Sequence, residues 1–109
     1  MAMLKGTLDV LVLKALSWTP MHAFEIAKWI ESRSKGHLVA EDAALMQAVH
    51  RLEERELLAA EWGTTTNGRR ARYYRLTTSG RAHLRAESKR LTEYADALTT
   101  VLRVRTAIE

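Results

Sequence analysis

Residues 45–80, LMQAVHRLEERELLAAEWGTTTNGRRARYYRLTTSG, carry the pattern that decides the fold. Leu45, Ala48, Val49 and Leu52 recur at i, i+3, i+4 and i+7, which predicts a helix of about three or four turns with one apolar stripe facing a core. Met46, Gln47, His50, Arg51 and Glu54 fall on its other side, where a partner can be met without disturbing the packing. Leu57 to Trp62 and Arg72 to Leu76 read as two antiparallel strands, and Asn67-Gly68 between them is the strongest short-range hairpin signal. A two-residue turn would set Trp62 directly across from Tyr73 as an aromatic pair. A one-residue bulge would change that register.

The tip and returning strand hold Arg69, Arg70, Arg72 and Arg75, four guanidinium groups within seven residues. Arginine offers a planar donor fork that suits phosphate and the edge of guanine, and a narrow two-stranded tip can place it in or beside a DNA groove. Helix plus basic ribbon gives a winged helix-turn-helix reading. The charge distribution agrees. Residues 1–68 carry 7 Lys and Arg against 9 Asp and Glu, and residues 69–109 carry 10 against 4, so the halves stand at −2 and +6 within a net +4. Such asymmetry points to a polyanion meeting the second half, most simply nucleic acid, with an acidic membrane surface as the weaker alternative.

Over residues 4 to about 90 the chain resembles the PadR family of transcriptional regulators. HRLEERELLAAEWGTTTNGRRARYYRLTTSGRAHL is similar to that family's signature half, and LKGTLDVLVLKALSWTPMHAFEIAKWI to its first two helices. The resemblance implies a mainly α fold with a small β-hairpin: a winged helix-turn-helix domain over residues 1–78 and a C-terminal dimerisation helix over 79–109, forming one structural unit. The sequence also departs from the family. The usual small-Ser-Leu-Tyr-Pro run opening the recognition helix falls on Ala43, Ala44, Leu45, Met46 and Gln47, so the serine, tyrosine and proline are absent. The glycine that commonly follows this helix is Glu56, which must either turn left-handed or lengthen the helix.

Leu4, Leu8, Leu11, Val12, Ala15 and Leu16 form a stripe on a first helix, and Val10 and Leu13 make it apolar on more than one side, more than one small core can cover. The family resemblance implies that this helix also meets a second subunit, through Leu8 and Val12. Ser17 to Pro20 breaks the pattern. A second helix follows with Ala23, Ile26, Ala27 and Ile30 as its buried stripe, flanked by Phe24 and Trp29, and residues 32–37 read as a turn. Glu41 and Asp42 open the third helix, where Asp42 is the expected N-cap. Both are awkward for a helix whose first turn meets DNA. Thr77 or Thr78 caps a last helix expected to reach Ile108, roughly 45 Å at 1.5 Å per residue. Leu91, Tyr94, Leu98, Val101 and Ile108 are spaced like two to three heptads, as a pairing helix requires.

With 109 residues and 47% hydrophobic content the chain is sized for one domain with a modest core. It has no cysteine, which excludes disulfides and thiolate chemistry. His22, His37, His50 and His83 lack metal-ligand spacing, no catalytic pair or nucleophile elbow is present, and no cofactor is expected. The apolar run at Leu8–Leu16 is too short for a membrane span, and no leader pattern precedes it, so a cytoplasmic protein is expected. The function expected is a DNA-binding regulator, by resemblance a repressor, bound as a homodimer to double-stranded operator DNA. Met46, Gln47, His50 and Arg51 on the helix and Asn67, Arg69, Arg70 and Arg72 on the wing are the contact candidates, and Leu8, Val12, Leu91, Tyr94, Leu98 and Val101 the dimerisation candidates. The rival readings are a winged-helix protein-interaction module and a dimer whose cleft, lined by Trp18, Phe24, Trp29 and Tyr94, takes a small aromatic or hydrophobic effector.

Overall fold

The computed structural model describes residues 3, 4 and 6–105. Helices α1 (Thr7–Leu16), α2 (Ala23–Arg33) and α3 (Asp42–Glu54) precede a hairpin of β1 (Leu58–Thr64) and β2 (Arg70–Leu76), and α4 (Thr78–Leu102) follows. The α3 stripe is buried whole and the α2 stripe in part, whereas on α1 Leu4 is exposed, Leu8 and Leu11 are half-buried, and Val10 and Leu13, expected off the stripe, are buried. Leu45, Ala48, Val49 and Leu52 of α3, Ile26 and Ile30 of α2 and Val10, Val12, Leu13, Ala15 and Leu16 of α1 are buried together with Leu57, Leu58, Tyr74 and Leu76 around the hairpin. α1 lies at the centre, packed on α2, α3, α4 and β2.

The helix ends follow local chemistry. His22 caps α2 through a reciprocal box: its Nδ1 accepts from the Glu25 N–H at 3.3 Å, and the Glu25 carboxylate accepts from the His22 N–H at 3.2 Å. At α3 the N-cap is Glu41, without a side-chain cap bond, and Asp42 is the first helical residue, so the helix begins one place earlier than the sequence suggests. The end of α3 takes the left-handed route. Glu56 has φ 60°, its N–H donates to the Glu53 carbonyl at 2.9 Å, and the Leu57 N–H donates to the Leu52 carbonyl at 2.9 Å. These two bonds form a Schellman closure that normally seats glycine, with Leu52 and Leu57 as its buried apolar pair. Thr77 caps α4, accepting from the Gly80 N–H at 3.0 Å and donating to the Glu56 carbonyl at 2.7 Å. The first turn of α4 thus sits tightly on the α3–β1 junction.

The hairpin corrects the simplest register. Gly68 is left-handed at φ 80° while Asn67 is not, so the turn lacks the two positive φ angles of a two-residue loop. Instead the Gly68 N–H donates to the Thr65 carbonyl at 2.9 Å and the Thr65 N–H to the Arg69 carbonyl at 2.8 Å, a three-residue loop closed by a glycine bulge. The Thr65 hydroxyl accepts from the Arg69 N–H at 3.2 Å and favours this closure. The strands therefore pair Trp62 with Arg72 and Glu61 with Tyr73. Met21, just after Pro20, bridges to Tyr74 by two backbone bonds of 3.1 Å and 2.9 Å, fastening the start of α2 to β2.

Only the first part of α4 belongs to the core. Gly80 and Leu84 are buried and Leu91 is half-buried, whereas every described residue from Thr92 onward is exposed. The radius of gyration is 16.3 Å, against about 13 Å for a compact chain of this length, and the longest dimension is 61 Å. The helix ends earlier than its spacing suggests, at Leu102, where the Val104 N–H turns back to the Val101 carbonyl at 3.2 Å. Arg105 lies beyond it, and Ile108 lies outside the described residues.

Candidate nucleic-acid interface

The buried stripe of α3 fixes which side faces out. With Leu45, Ala48, Val49 and Leu52 inward, Gln47, His50 and Arg51 are exposed and Met46 is half-buried at the edge. The bulged register turns Trp62, Arg70 and Arg72 to one face of the wing, because cross-strand partners and their second neighbours share a side. Arg75 pairs with Ala59 and lies on the opposite side, and Arg69 and Asn67 are exposed in the tip. The four arginines thus part into a tip, an inner face and an outer face.

Between wing and helix runs a groove of about 440 Å³ lined by His22, Phe24, Met46, His50, Trp62, Arg70 and Arg72, among others. Arg70 rests its guanidinium 4.6 Å from the Trp62 ring centre. Stacking holds the cation in place and leaves the edges of its donor fork open. Trp62 itself is 60% exposed, so it serves the groove rather than the core. Gly63 makes room for the neighbouring Tyr73 ring, which a Cβ there would meet at 2.8 Å. Tyr73 in turn packs edge-on against His22 with centroids 5.4 Å apart, and His22 stacks with Phe24.

Two of the arginines expected at the interface have partners within the chain. Arg72 donates to both Glu53 oxygens, at 3.0 Å and 2.6 Å, and Arg51 donates to Asp9 at 2.7 Å. Each is an exposed-to-half-buried pair joining separate elements, so a contact with phosphate would compete with an existing ion pair. Met46, Gln47, His50, Asn67, Arg69 and Arg70 have no such competition among the described residues. The groove also brings in residues that the sequence reading placed elsewhere or passed over: His22, Phe24 and Trp62. For Phe24 the signal was weak, since an aromatic residue off a helical stripe ordinarily reads as packing. Phe24, expected to flank the core, is 67% exposed.

The dimerisation candidates separate in the same way. Val12 is 0% exposed, inside the subunit's own core. Leu8 and Leu91 are half-buried against that core, while Tyr94, Leu98 and Val101 are exposed on the projecting half of α4. The aromatic residues expected to share a cleft do not converge within the subunit. Phe24 lines the groove above, Trp29 lines a separate concavity of about 270 Å³ with Leu11, Lys14 and Leu38, and Arg33 covers the rings of Trp18 and Trp29 at 5.5 Å and 5.7 Å. Among the described residues no group of His, Asp or Glu is placed to hold a metal ion, and no helix is long and apolar enough to cross a membrane.

Comparison with known proteins places this architecture. Residues 12–86 match the family described as Transcriptional regulator PadR-like. The chain is 30% identical over 81 residues, 74% of each sequence, to a protein of Lysinibacillus sphaericus named Uncharacterized protein X. Its structure resembles that of a PadR family transcriptional regulator from Eggerthella lenta, with TM-score 0.73, 29% identity and coverage of 93% of this chain and 86% of that one. It shares its fold with a PadR-like regulator from Bacillus cereus, with TM-score 0.79 at 16% identity, covering 94% and 98%. An exposed α3 face beside an arginine-bearing wing, on a fold matched over most of the chain, gives the assignment: the protein belongs to the PadR-like family of transcriptional regulators.

Proposed function

We propose that the protein is a homodimeric transcriptional repressor of the cytoplasm, which occupies a pseudo-palindromic operator and blocks the promoter sterically. Residues 1–78 act as the DNA-binding domain and 79–109 as the dimerisation helix. The observation that carries this reading is the groove itself: the outward face of α3 and the Trp62-supported Arg70 border one cleft, so a helix in the major groove and a wing beside the same backbone can act together. Gln47 and His50, with Met46 beside them, are the base-edge residues. Arg69, Arg70 and Asn67 meet phosphate and sugar. Exposed Tyr94, Leu98 and Val101 supply the heptad-like seam for the second copy.

Binding to duplex DNA across a salt series tests it. Phosphate contacts release counterions, so log K should fall linearly with log salt, with a slope near 0.9 per contact. Recovery of one enriched sequence from fragments of the source genome is the further expected result. A flat salt dependence, with no enriched fragment, would overturn the DNA reading.

A second reading, a winged-helix protein-interaction module, draws on Glu41 and Asp42 at the start of α3 and on the engagement of Arg51 and Arg72 in internal pairs. These features weaken attraction to a polyanion. A small aromatic or hydrophobic effector in the dimer cleft is a third reading, and it would act by changing the spacing of the two recognition helices.

A further inference from the structure

The groove has an annex that does not suit phosphate. Between the first turns of α2 and α3 lies a concavity of about 310 Å³, lined by Ala23, Phe24, Asp42, Leu45 and Met46. It shares Ala23, Phe24 and Met46 with the groove between α3 and the wing, so the two are continuous. Phe24 is exposed while Ile26 and Ile30 of the same helix are buried, so its ring stands outside the core. A phenyl ring and a thioether offer an anion no donor. Asp42, on the wall, repels one, and among the described residues no cation pairs with it.

A site of this kind beside arginines that attract nucleic acid needs an occupant that is uncharged and apolar yet part of the duplex. In the major groove the thymine 5-methyl group meets both conditions, and contact with an apolar side chain is how that methyl is read. Gln47, exposed and next in sequence to Met46, carries the amide that pairs bidentately with adenine, which favours the same base pair. Lys28, exposed and with its Nζ 5.5 Å from the Phe24 ring, adds a positive charge beside the notch. We infer that the Phe24–Met46 notch determines specificity by taking a thymine methyl in each operator half-site. This inference rests on the DNA-binding reading above and adds the base that the site selects.

The test uses the full-length protein and the duplex it enriches from a random-sequence pool, with each thymine replaced in turn by deoxyuridine, which lacks only the methyl. Affinity should fall about fourfold at one or two thymines per half-site, the equivalent of one methyl group returned to water. In Phe24→Ala the uracil penalty at those positions should disappear, and in Phe24→Leu it should persist. The salt slope should be the same for all three proteins, and circular dichroism should show the same helix content. If the unaltered protein binds its selected duplex but tolerates uracil everywhere, the notch does not read a methyl and the DNA-binding reading still stands. A penalty that survives intact in Phe24→Ala overturns the notch equally. Absence of any salt-dependent binding would remove both readings together.

Discussion

The guanidinium of Arg72 spans both carboxylate oxygens of Glu53, at 3.0 Å and 2.6 Å, and so clamps the wing to α3. This bidentate pair is two-pronged and half-shielded, which places it above the near-zero value of an ordinary surface ion pair. Arg72→Ala should therefore lower stability by about 0.5–1 kcal/mol after allowance for solvent screening. Arg72→Lys should recover little of that loss, because an ammonium cannot form the fork. Urea denaturation of the three proteins measures it. Equal midpoints for Arg72→Ala and the unaltered chain would show that the clamp contributes nothing to folding.

Glu56 closes α3 in the left-handed region at φ 60°, where a side chain is strained and glycine is not. Glu56→Gly should stabilise the protein by about 1 kcal/mol, raising the thermal midpoint by roughly 4 °C or more at fixed protein concentration. Gly80 presents the opposite case. A Cβ there would collide with the Leu57 carbonyl oxygen, so Gly80→Ala must push the start of α4 off the α3–β1 junction and should cost several times as much. Scanning calorimetry on both variants checks the sign of each effect.

Arg70, braced on Trp62, should supply sequence-independent affinity. Arg70→Ala is expected to weaken binding to all duplexes alike and to reduce the salt slope by about 0.9, the value of one phosphate contact. Trp62→Ala should produce part of the same change by unseating the guanidinium. Arg72→Ala should leave the slope closer to its original value, since its guanidinium is already committed to Glu53. Slopes unchanged in every wing variant would move the phosphate contacts elsewhere.

Leu98 is 45% exposed in the single subunit, on the part of α4 that leaves the core. It lies outside the buried core of the winged domain. Leu98→Asp should therefore shift sedimentation from dimer to monomer while the near-ultraviolet signal of the buried aromatic environment persists. A dimer of undiminished strength in this variant would exclude the α4 seam as the contact between copies.

The legible part of the fold was the part that repeats. Helical spacing in α3 exposes its stripe to direct reading, because burial at Leu45, Ala48, Val49 and Leu52 leaves a period in the sequence. The wing was visible in Asn67-Gly68, but its register follows from a three-residue loop closed by backbone bonds with Gly68 left-handed, and the pattern of strand residues does not encode that choice. Arg51 and Arg72 looked available because their partners, Asp9 and Glu53, are 42 and 19 residues away in sequence. Pairing across such separations is a product of the tertiary fold. The Met21–Tyr74 bridge uses backbone atoms alone and leaves no side-chain signature at all. The burial of Val12 was hidden for a related reason: an all-round apolar helix can be one that the subunit itself surrounds, as α1 is by α2, α3, α4 and β2.

Glu41 and Asp42 place two carboxylates at the start of the helix that would enter the major groove, and among the described residues neither is neutralised by an ion pair. Their charges favour the helix through its dipole, so removing them should cost a few tenths of a kcal/mol in stability. Near phosphate the same charges act against binding. That opposition is felt most by non-specific complexes, whose affinity is almost wholly electrostatic. Glu41→Gln with Asp42→Asn should therefore raise affinity for arbitrary duplex DNA several-fold at about 0.05 M salt, with the gain shrinking as added salt shortens the screening length to roughly 3 Å at 1 M. Affinity for the selected operator should rise less, so the ratio of specific to non-specific binding falls. Fluorescence-anisotropy titrations of both duplexes at three salt concentrations measure this ratio directly. A double variant that binds arbitrary DNA no better than the unaltered protein at low salt would place these carboxylates away from the phosphates, and would require α3 to approach DNA by a part other than its first turn.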